Sequence, residues 1–428
     1  MNKEKAQQSA RLKPTLGLFD ATAISVGAIV GAGIYVVTGI AAGYAGPALT
    51  ISMLIAAVVA VFTALSFSEL TAWQPREGSI YEYAYQLISP FAGFLTGWMW
   101  IISNIFAGAA VALGFANYFH ALFPVFPPNL VAAMLCLSFT VLNFFGIRQS
   151  ALLNNILVAA KMLILVFFVV YGLLFVNSAN FASFNPFQTG VFSAAFYIFF
   201  AYGGFARVAV VAEEVKDARK NVPRAIVLSL AISTIVYVFV GLVAVGLVGA
   251  AKLALSNSPL TEAINVTGNA FAAYLVSAGG LVATASVLLT AILGVSRMAY
   301  AMARRRDLPQ ILSKLHSRFN TPSYSIWMVG LAMILLVLFV DITRVVAIST
   351  FALLFYYALA NVSALRLKNH NRVYPKIVSI VGAATCIGFL AFTLVAKTDA
   401  WIIGVTALAV SAVYYWFRKK LTERVQDF

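Results

Sequence analysis

Apolar residues fall along this chain in long runs, separated by short gaps that hold most of its polar residues. A run of about 20 apolar residues is long enough to cross a bilayer as a helix. The runs predict twelve spans, at 16–43, 47–73, 88–119, 128–147, 152–177, 189–211, 223–249, 270–302, 323–341, 344–367, 374–396 and 399–417. The polar start, "MNKEKAQQSARLKP", leads into a run too long for a signal-peptide core and without a small-residue cleavage site, so the first span is expected to be retained.

Composition agrees with the runs. Hydrophobic residues make up 62% of the 428 positions and charged residues only 10%, whereas a water-soluble domain is about a quarter charged. Polar groups this scarce cannot cover the apolar surface, so the chain is expected to sit in lipid. Cys136 and Cys386 both lie within apolar runs and read as packing residues rather than a disulfide.

The net charge of +15 could mean nucleic acid, but its layout argues for topology instead. With the N-terminus assigned to the cytoplasm, all but six of the 29 Lys and Arg fall in the N-terminal tail, alternate gaps on that side, or the C-terminal tail. Lys252, Arg344 and Lys397 fall outside; Lys161, Arg207 and Arg297 fall within or at the edges of spans. Cytoplasmic loops carry an excess of Lys and Arg, so an even span count puts both termini inside, expected at the cell (inner) membrane.

Two spans carry glycine near mid-membrane: "GAIVGAGIY" (27–35) in the first and "FFAYGGFAR" (199–207) in the sixth. They are five spans apart, hence oppositely directed. Interrupted helices at corresponding places in two opposed halves point to an inverted repeat with a binding site between them. The repeats are expected at 16–177 and 189–368, with the last two spans (374–417) appended and tails at 1–15 and 418–428. A helix broken at mid-membrane bares N–H groups with positive partial charge on one side of the gap, suited to a carboxylate, and C=O groups on the other, suited to a cation. The competing reading is close helix packing, since Gly27 and Gly31, and again Gly39 and Gly43, form G-x-x-x-G.

The same residues resemble a known family. "GLFDATAISVGAIVGAGIY" (17–35), "ALSFSEL" (64–70), "PREGSIYEYAY" (75–85), "FYIFFAYGGF" (196–205) and "AEEVKDARKNVPRAI" (212–226) are similar, in order, to the helices and loops of the amino acid–polyamine–organocation (APC) transporters. The likeness runs through about ten spans, and the chain resembles the proton-coupled prokaryotic amino acid permeases among them. It implies an all-α membrane protein with twelve transmembrane helices in a five-plus-five inverted repeat (LeuT-like), helices 1 and 6 being discontinuous. It also implies secondary transport of amino acids or related amines. Carried onto this chain, it puts the substrate carboxylate near Ala32 and Gly33, the amine near the carbonyls of Ile29 and of Phe200, Ala201 and Gly203, and Phe200 as the aromatic that closes over the substrate. The chain departs from the family pattern at Ala32, where many members have Ser. It departs again at Gly78–Ser79, often two glycines, and at Ala206–Arg207, where many members carry an acidic residue.

Lys161 lies about nine residues into the fifth span, near the bilayer centre at about 1.5 Å per residue. A charge there costs about 2.5–3.5 kcal/mol on insertion scales and should face the protein interior. A lysine removed from water holds its proton less tightly and can exchange it near neutral pH. In proton-coupled members a lysine at the matching place occupies the region where sodium-coupled relatives hold a cation. The resemblance therefore implies that Lys161 contacts the break in the first span and lies near Ser286, as the proton-coupling pair. The competing reading is a lysine that snorkels to water. Arg207 is expected either to pair with an acidic residue such as Glu213 or Glu214 or to face the inward cavity, Asp20 to cap the first helix, Glu69 to be structural or gating, and Asn104 to bond between helices.

Several chemistries have no signature. No G-x-x-x-x-G-K-[ST] or H-E-x-x-H occurs, and His120, His316 and His370 are scattered. No enzyme activity, cofactor or metal is expected. The sequence reads as a secondary active transporter, with an amino acid as substrate, the proton as coupling ion and the bilayer as surroundings. The alternative is an exchanger of amino acids or polyamines without net proton movement.

Overall fold

The computed structural model describes residues 14–75, 79–146, 151–210, 212–368 and 372–426. The expectations concerning Arg76, Gly78, Arg148, His370 and the first thirteen residues lie outside these, as do the side chains of Ser79 and Glu213.

Among the described residues the chain is helical. Its helices are α1 (Leu18–Ile29), α2 (Thr38–Ala45), α3 (Leu49–Trp73), α4 (Ser79–Leu87), α5 (Pro90–Leu122), α6 (Pro128–Phe144), α7 (Ala151–Leu173), α8 (Gly190–Tyr202), α9 (Arg207–Val210), α10 (Ala218–Val248), α11 (Ala250–Leu255), α12 (Pro259–Asn265), α13 (Ala270–Arg304), α14 (Ser323–Phe339), α15 (Ile342–Leu365), α16 (Lys376–Ala396) and α17 (Thr398–Gln426). Among the described residues nine stretches are long and apolar enough to cross a membrane. The first, 18–73, takes in both of the first two predicted spans. α6 and α14, with 17 residues each, reach about 25 Å at 1.5 Å per residue, a little under the usual hydrocarbon thickness.

Helix starts follow local chemistry. Before α5, Ser89 Oγ accepts from the Ala92 N–H at 3.1 Å, and Pro90 fills the first turn, where no N–H is needed. Asn269 and Asp341 cap α13 and α15 in the same way, at 3.2 and 3.0 Å. At α1, Asp20 Oδ2 accepts from the Gly17 N–H at 2.9 Å, and its other oxygen accepts from Asn155 Nδ2 of α7 at 2.8 Å.

The most extensive packing is of α3 on α10 and of α5 on α13 and α15. The short helices lie among these long ones: α1 against α7 and α10, α8 against α3 and α15. Side chains on the outside are apolar, including Val58 on α3, Leu163 and Val170 on α7, Ile235 on α10 and Leu335 on α14. An apolar exterior around a packed, partly polar interior suits lipid surroundings.

Loops meet at the two ends of the bundle. At one end Glu82 pairs with Arg305 at 2.7 Å, and Asp307 is bonded by both Tyr81 and Arg418. There too the buried Glu69 accepts from the N–H groups of Val373 (2.9 Å) and Tyr374 (3.3 Å) and pairs with Arg372 at 3.4 Å. The segment before α1 joins the segment after α9 through backbone alone: Thr15 and Leu16 N–H donate to Glu214 O at 2.9 Å, and Lys216 N–H to Leu16 O at 2.8 Å. At the opposite end Gln188 donates to Ala45 O at 2.5 Å, and Lys397 bonds the Tyr44 hydroxyl. Cys136 and Cys386 are buried free thiols.

Candidate functional site

Two helices stop inside the bundle. α1 ends at Ile29; Val30 turns extended (φ −79°, ψ 95°) while its N–H still reaches Val26 O at 2.8 Å. The chain resumes as a π-helical turn, Gly33–Val37, that runs into α2. Wide turns of this kind often accompany functional sites. α8 ends at Tyr202, a turn occupies 203–206, and α9 begins at Arg207. The two gaps touch. A Cβ on Gly33 would collide with Ala201, and one on Gly204 with the backbone of Ala28. Only glycine allows backbone this close to backbone.

The carbonyl ends of the gaps are held by side chains. Lys161 Nζ, on α7, donates to Gly27 O (2.6 Å), Val30 O (2.7 Å) and Ser286 Oγ of α13 (3.4 Å). Three acceptors match the three protons of an ammonium, and the end of α1 offers it negative partial charge. Lys161 is fully buried. Tyr237 Oη, on α10, is 2.8 Å from Ile29 O and 3.3 Å from Ala201 O, bridging the two broken helices. Tyr357 of α15 donates to Gly203 O at 3.0 Å, and Ser25 of α1 to Phe205 O at 3.2 Å.

Between the gaps lies a cavity of about 50 Å³, room for a few waters. Ile29, Ala32, Gly33, Phe200, Ala201 and Gly203, the six residues proposed from sequence for the substrate, all line it. Lys161 and Ser286 do not; Lys161 meets α1 at the carbonyls of Gly27 and Val30, and Ser286 meets Lys161. Two of the carbonyls expected to hold an amine, those of Ile29 and Ala201, share the Tyr237 hydroxyl. One hydroxyl proton serves one acceptor at a time, and each carbonyl has two lone pairs, so acceptor capacity is left over.

Two polar residues of the spans, Arg207 and Asn104, also face this cavity. Arg207 does not pair with Glu214 among the described residues; its Nη1 donates to Thr290 Oγ1 of α13 at 2.8 Å, and it lines the cavity. The first turn of α9 aims the side chain inward, while Glu214 lies beyond that helix in the segment tied to residues 15 and 16. Asn104 lines the cavity, donates to Trp100 O of its own helix at 2.9 Å, and its side chain also bonds Tyr356 of α15, the contact between helices expected of it. Sequence reasoning missed Tyr237 altogether. Its one signal was a hydroxyl in an otherwise apolar run, and a buried tyrosine hydroxyl needs a partner. No group of His, Cys, Asp and Glu among the described residues could hold a metal ion.

Comparison with known proteins gives these features a context. A family model described as amino acid permease matches residues 16–418. An uncharacterized transporter of Mycobacterium tuberculosis is 35% identical over 421 residues, which is 97% of this chain and 94% of that protein. The branched-chain amino acid permease BcaP of Bacillus subtilis is 32% identical, covering 85% of this chain and 83% of its own length. The methylthioribose transporter of the same bacterium is 30% identical over 96% and 95%. The helical chain with two gaps around one cavity therefore belongs to the amino acid permease family of APC transporters.

Proposed function

We propose that this chain carries an amino acid across the cell membrane by alternating access, driven by protons, with both termini in the cytoplasm. The observation that carries the reading is the meeting of two interrupted helices at one cavity, with Lys161 bonded to the carbonyl end of the first. The N–H groups of Ala32 and Gly33 receive the α-carboxylate, the site being an unwound stretch followed by a helix start. The amine goes to the free capacity of the Ile29 and Phe200–Gly203 carbonyls, and Phe200 covers the substrate. Twelve spans follow if 18–73 crosses twice and the shorter α6 and α14 cross once each. The first ten then form two opposed five-helix repeats whose first members are the two broken helices.

Proton coupling rests on Lys161 and Ser286. Protonated, Lys161 has a donor for each of its three acceptors and pins α1 to α7 and α13; neutral, it loses one donor and the pin loosens. Proton binding and the position of α1 are then linked, as coupling requires. Amino acid transport is supported by the names of relatives, which include the branched-chain permease and a cationic amino acid transporter of mouse; the methylthioribose transporter makes that compound a necessary control.

The test is uptake into proteoliposomes of purified protein under an imposed pH gradient, acid outside. Accumulation of an amino acid above its outside concentration, abolished by a protonophore, is the expected result. Exchange that needs internal substrate and ignores the gradient would establish the exchanger reading instead.

A further inference from the structure

Arg207 is a cation within the bundle whose bonded partner is neutral. Among the described residues it makes no ion pair, and its one hydrogen bond goes to the Thr290 hydroxyl. A guanidinium carries five N–H donors, so the bond leaves most of them uncommitted. Arginine in a membrane protein's interior is almost always paired, and a buried charge without a counter-charge is costly.

The space beside it fits a missing anion. Arg207 lines the cavity between the two gaps, and among the described residues no Asp or Glu lines it with Arg207. The neighbouring polar groups come from three helices: Asn104 and Ser103 of α5, Ser349 and Tyr356 of α15, and Thr290 of α13. The other nearby charge is Lys161, also positive and close enough for the two to act on each other. One cation on the cavity wall, a second close behind it, and no carboxylate lining the cavity among the described residues repel a positively charged substrate and attract one with an extra negative charge.

We propose that the substrate is an amino acid with an acidic side chain, and that Arg207 is the counter-ion of its side-chain carboxylate. This rests on the amino acid transport reading above and adds the substrate's charge. The α-carboxylate and amine go to the gaps in α1 and α8, which leaves the cavity wall of α5, α9 and α15 for the side chain. A guanidinium suits that task, because its planar fork binds a carboxylate through two parallel bonds.

The experiment is counterflow in proteoliposomes, each batch preloaded with one unlabelled amino acid and supplied outside with the same labelled one: aspartate, glutamate, leucine or lysine. The expected result is saturable exchange of aspartate or glutamate at least tenfold faster than that of leucine or lysine. Arg207→Gln should lower the acidic exchange more than tenfold and Arg207→Lys less. A melting curve of each purified variant separates this from misfolding, and the wild-type panel decides the question even if neither variant folds. Exchange of leucine or lysine as fast as that of the acidic pair overturns the assignment while leaving amino acid transport standing. No exchange of any of the four overturns both proposals.

Discussion

Lys161 and Val30 are held 2.7 Å apart, ammonium to carbonyl oxygen, at the residue where α1 stops being a helix. The Gly27 carbonyl, 2.6 Å from the same nitrogen, is the second half of the seat. The lysine thus takes up carbonyl groups that the break leaves without helical partners.

Replacing Lys161 with Ala removes that ligand and leaves two buried carbonyls short of a donor, at about 1–3 kcal/mol each. The expected outcome is loss of pH-driven accumulation in proteoliposomes, with a lower melting temperature. Lys161→Met fills more of the space with an apolar chain and should recover part of the stability but none of the proton dependence. Uphill uptake by Lys161→Ala equal to wild type would falsify the coupling role.

Gly33 and Ala201 form a backbone crossing with no room for a second Cβ. Gly33→Ala should cost about 1–3 kcal/mol through overpacking and abolish transport. Adding Ala201→Gly empties the space that the new methyl would enter. The double variant is expected to melt higher than Gly33→Ala alone and to regain part of the flux. Strictly additive losses would mean that the two positions are not coupled.

Tyr237→Phe keeps the ring and deletes the hydroxyl shared by Ile29 O and Ala201 O. The pair of carbonyls then loses the one donor it shares, for a stability loss of about 1–3 kcal/mol. With those oxygens proposed as the seat of the amine, the apparent KM for the amino acid should change severalfold, read from initial uptake rates. A variant with unchanged KM and unchanged melting temperature would take Tyr237 out of the site.

Glu69 and Arg372 form a buried pair away from the cavity, and Glu69 also binds the N–H groups before α16. Glu69→Gln removes one charge and strands the other. Breaking a buried pair costs about 3–5 kcal/mol, so a large drop in melting temperature is expected, with substrate KM unchanged in whatever protein remains folded. A purely kinetic defect at full stability would contradict a structural role.

What the sequence could and could not tell follows from the kind of signal each residue gives. Gly31, Gly33, Gly203 and Gly204 stand out because a membrane-length helix gains nothing from clustered glycine unless backbone must come close or unwind. Lys161 stands out because charge in an apolar run is costly and needs a reason. Tyr237 gave no comparable sign, since an aromatic in an apolar run looks like any packing residue until two distant carbonyls are seen to share its hydroxyl. The sequence leaves the direction of Arg207 open between an acidic partner and the cavity. A four-residue helix decides whether it faces Glu214 or Thr290, and that helix's rotation depends on the turn before it.

The backbone seam between residues 15–16 and 214–216 acts as a tie-rod between the two interrupted halves. A tilt of α1 pulls on α9 at once, so that end of the protein should open in a single stroke instead of one gate after the other. Because the rod is made of peptide groups, side-chain exchange along it leaves the linkage intact. Proline at 15, 16 or 216 is the exception, since it removes one of the three N–H donors and weakens the linkage.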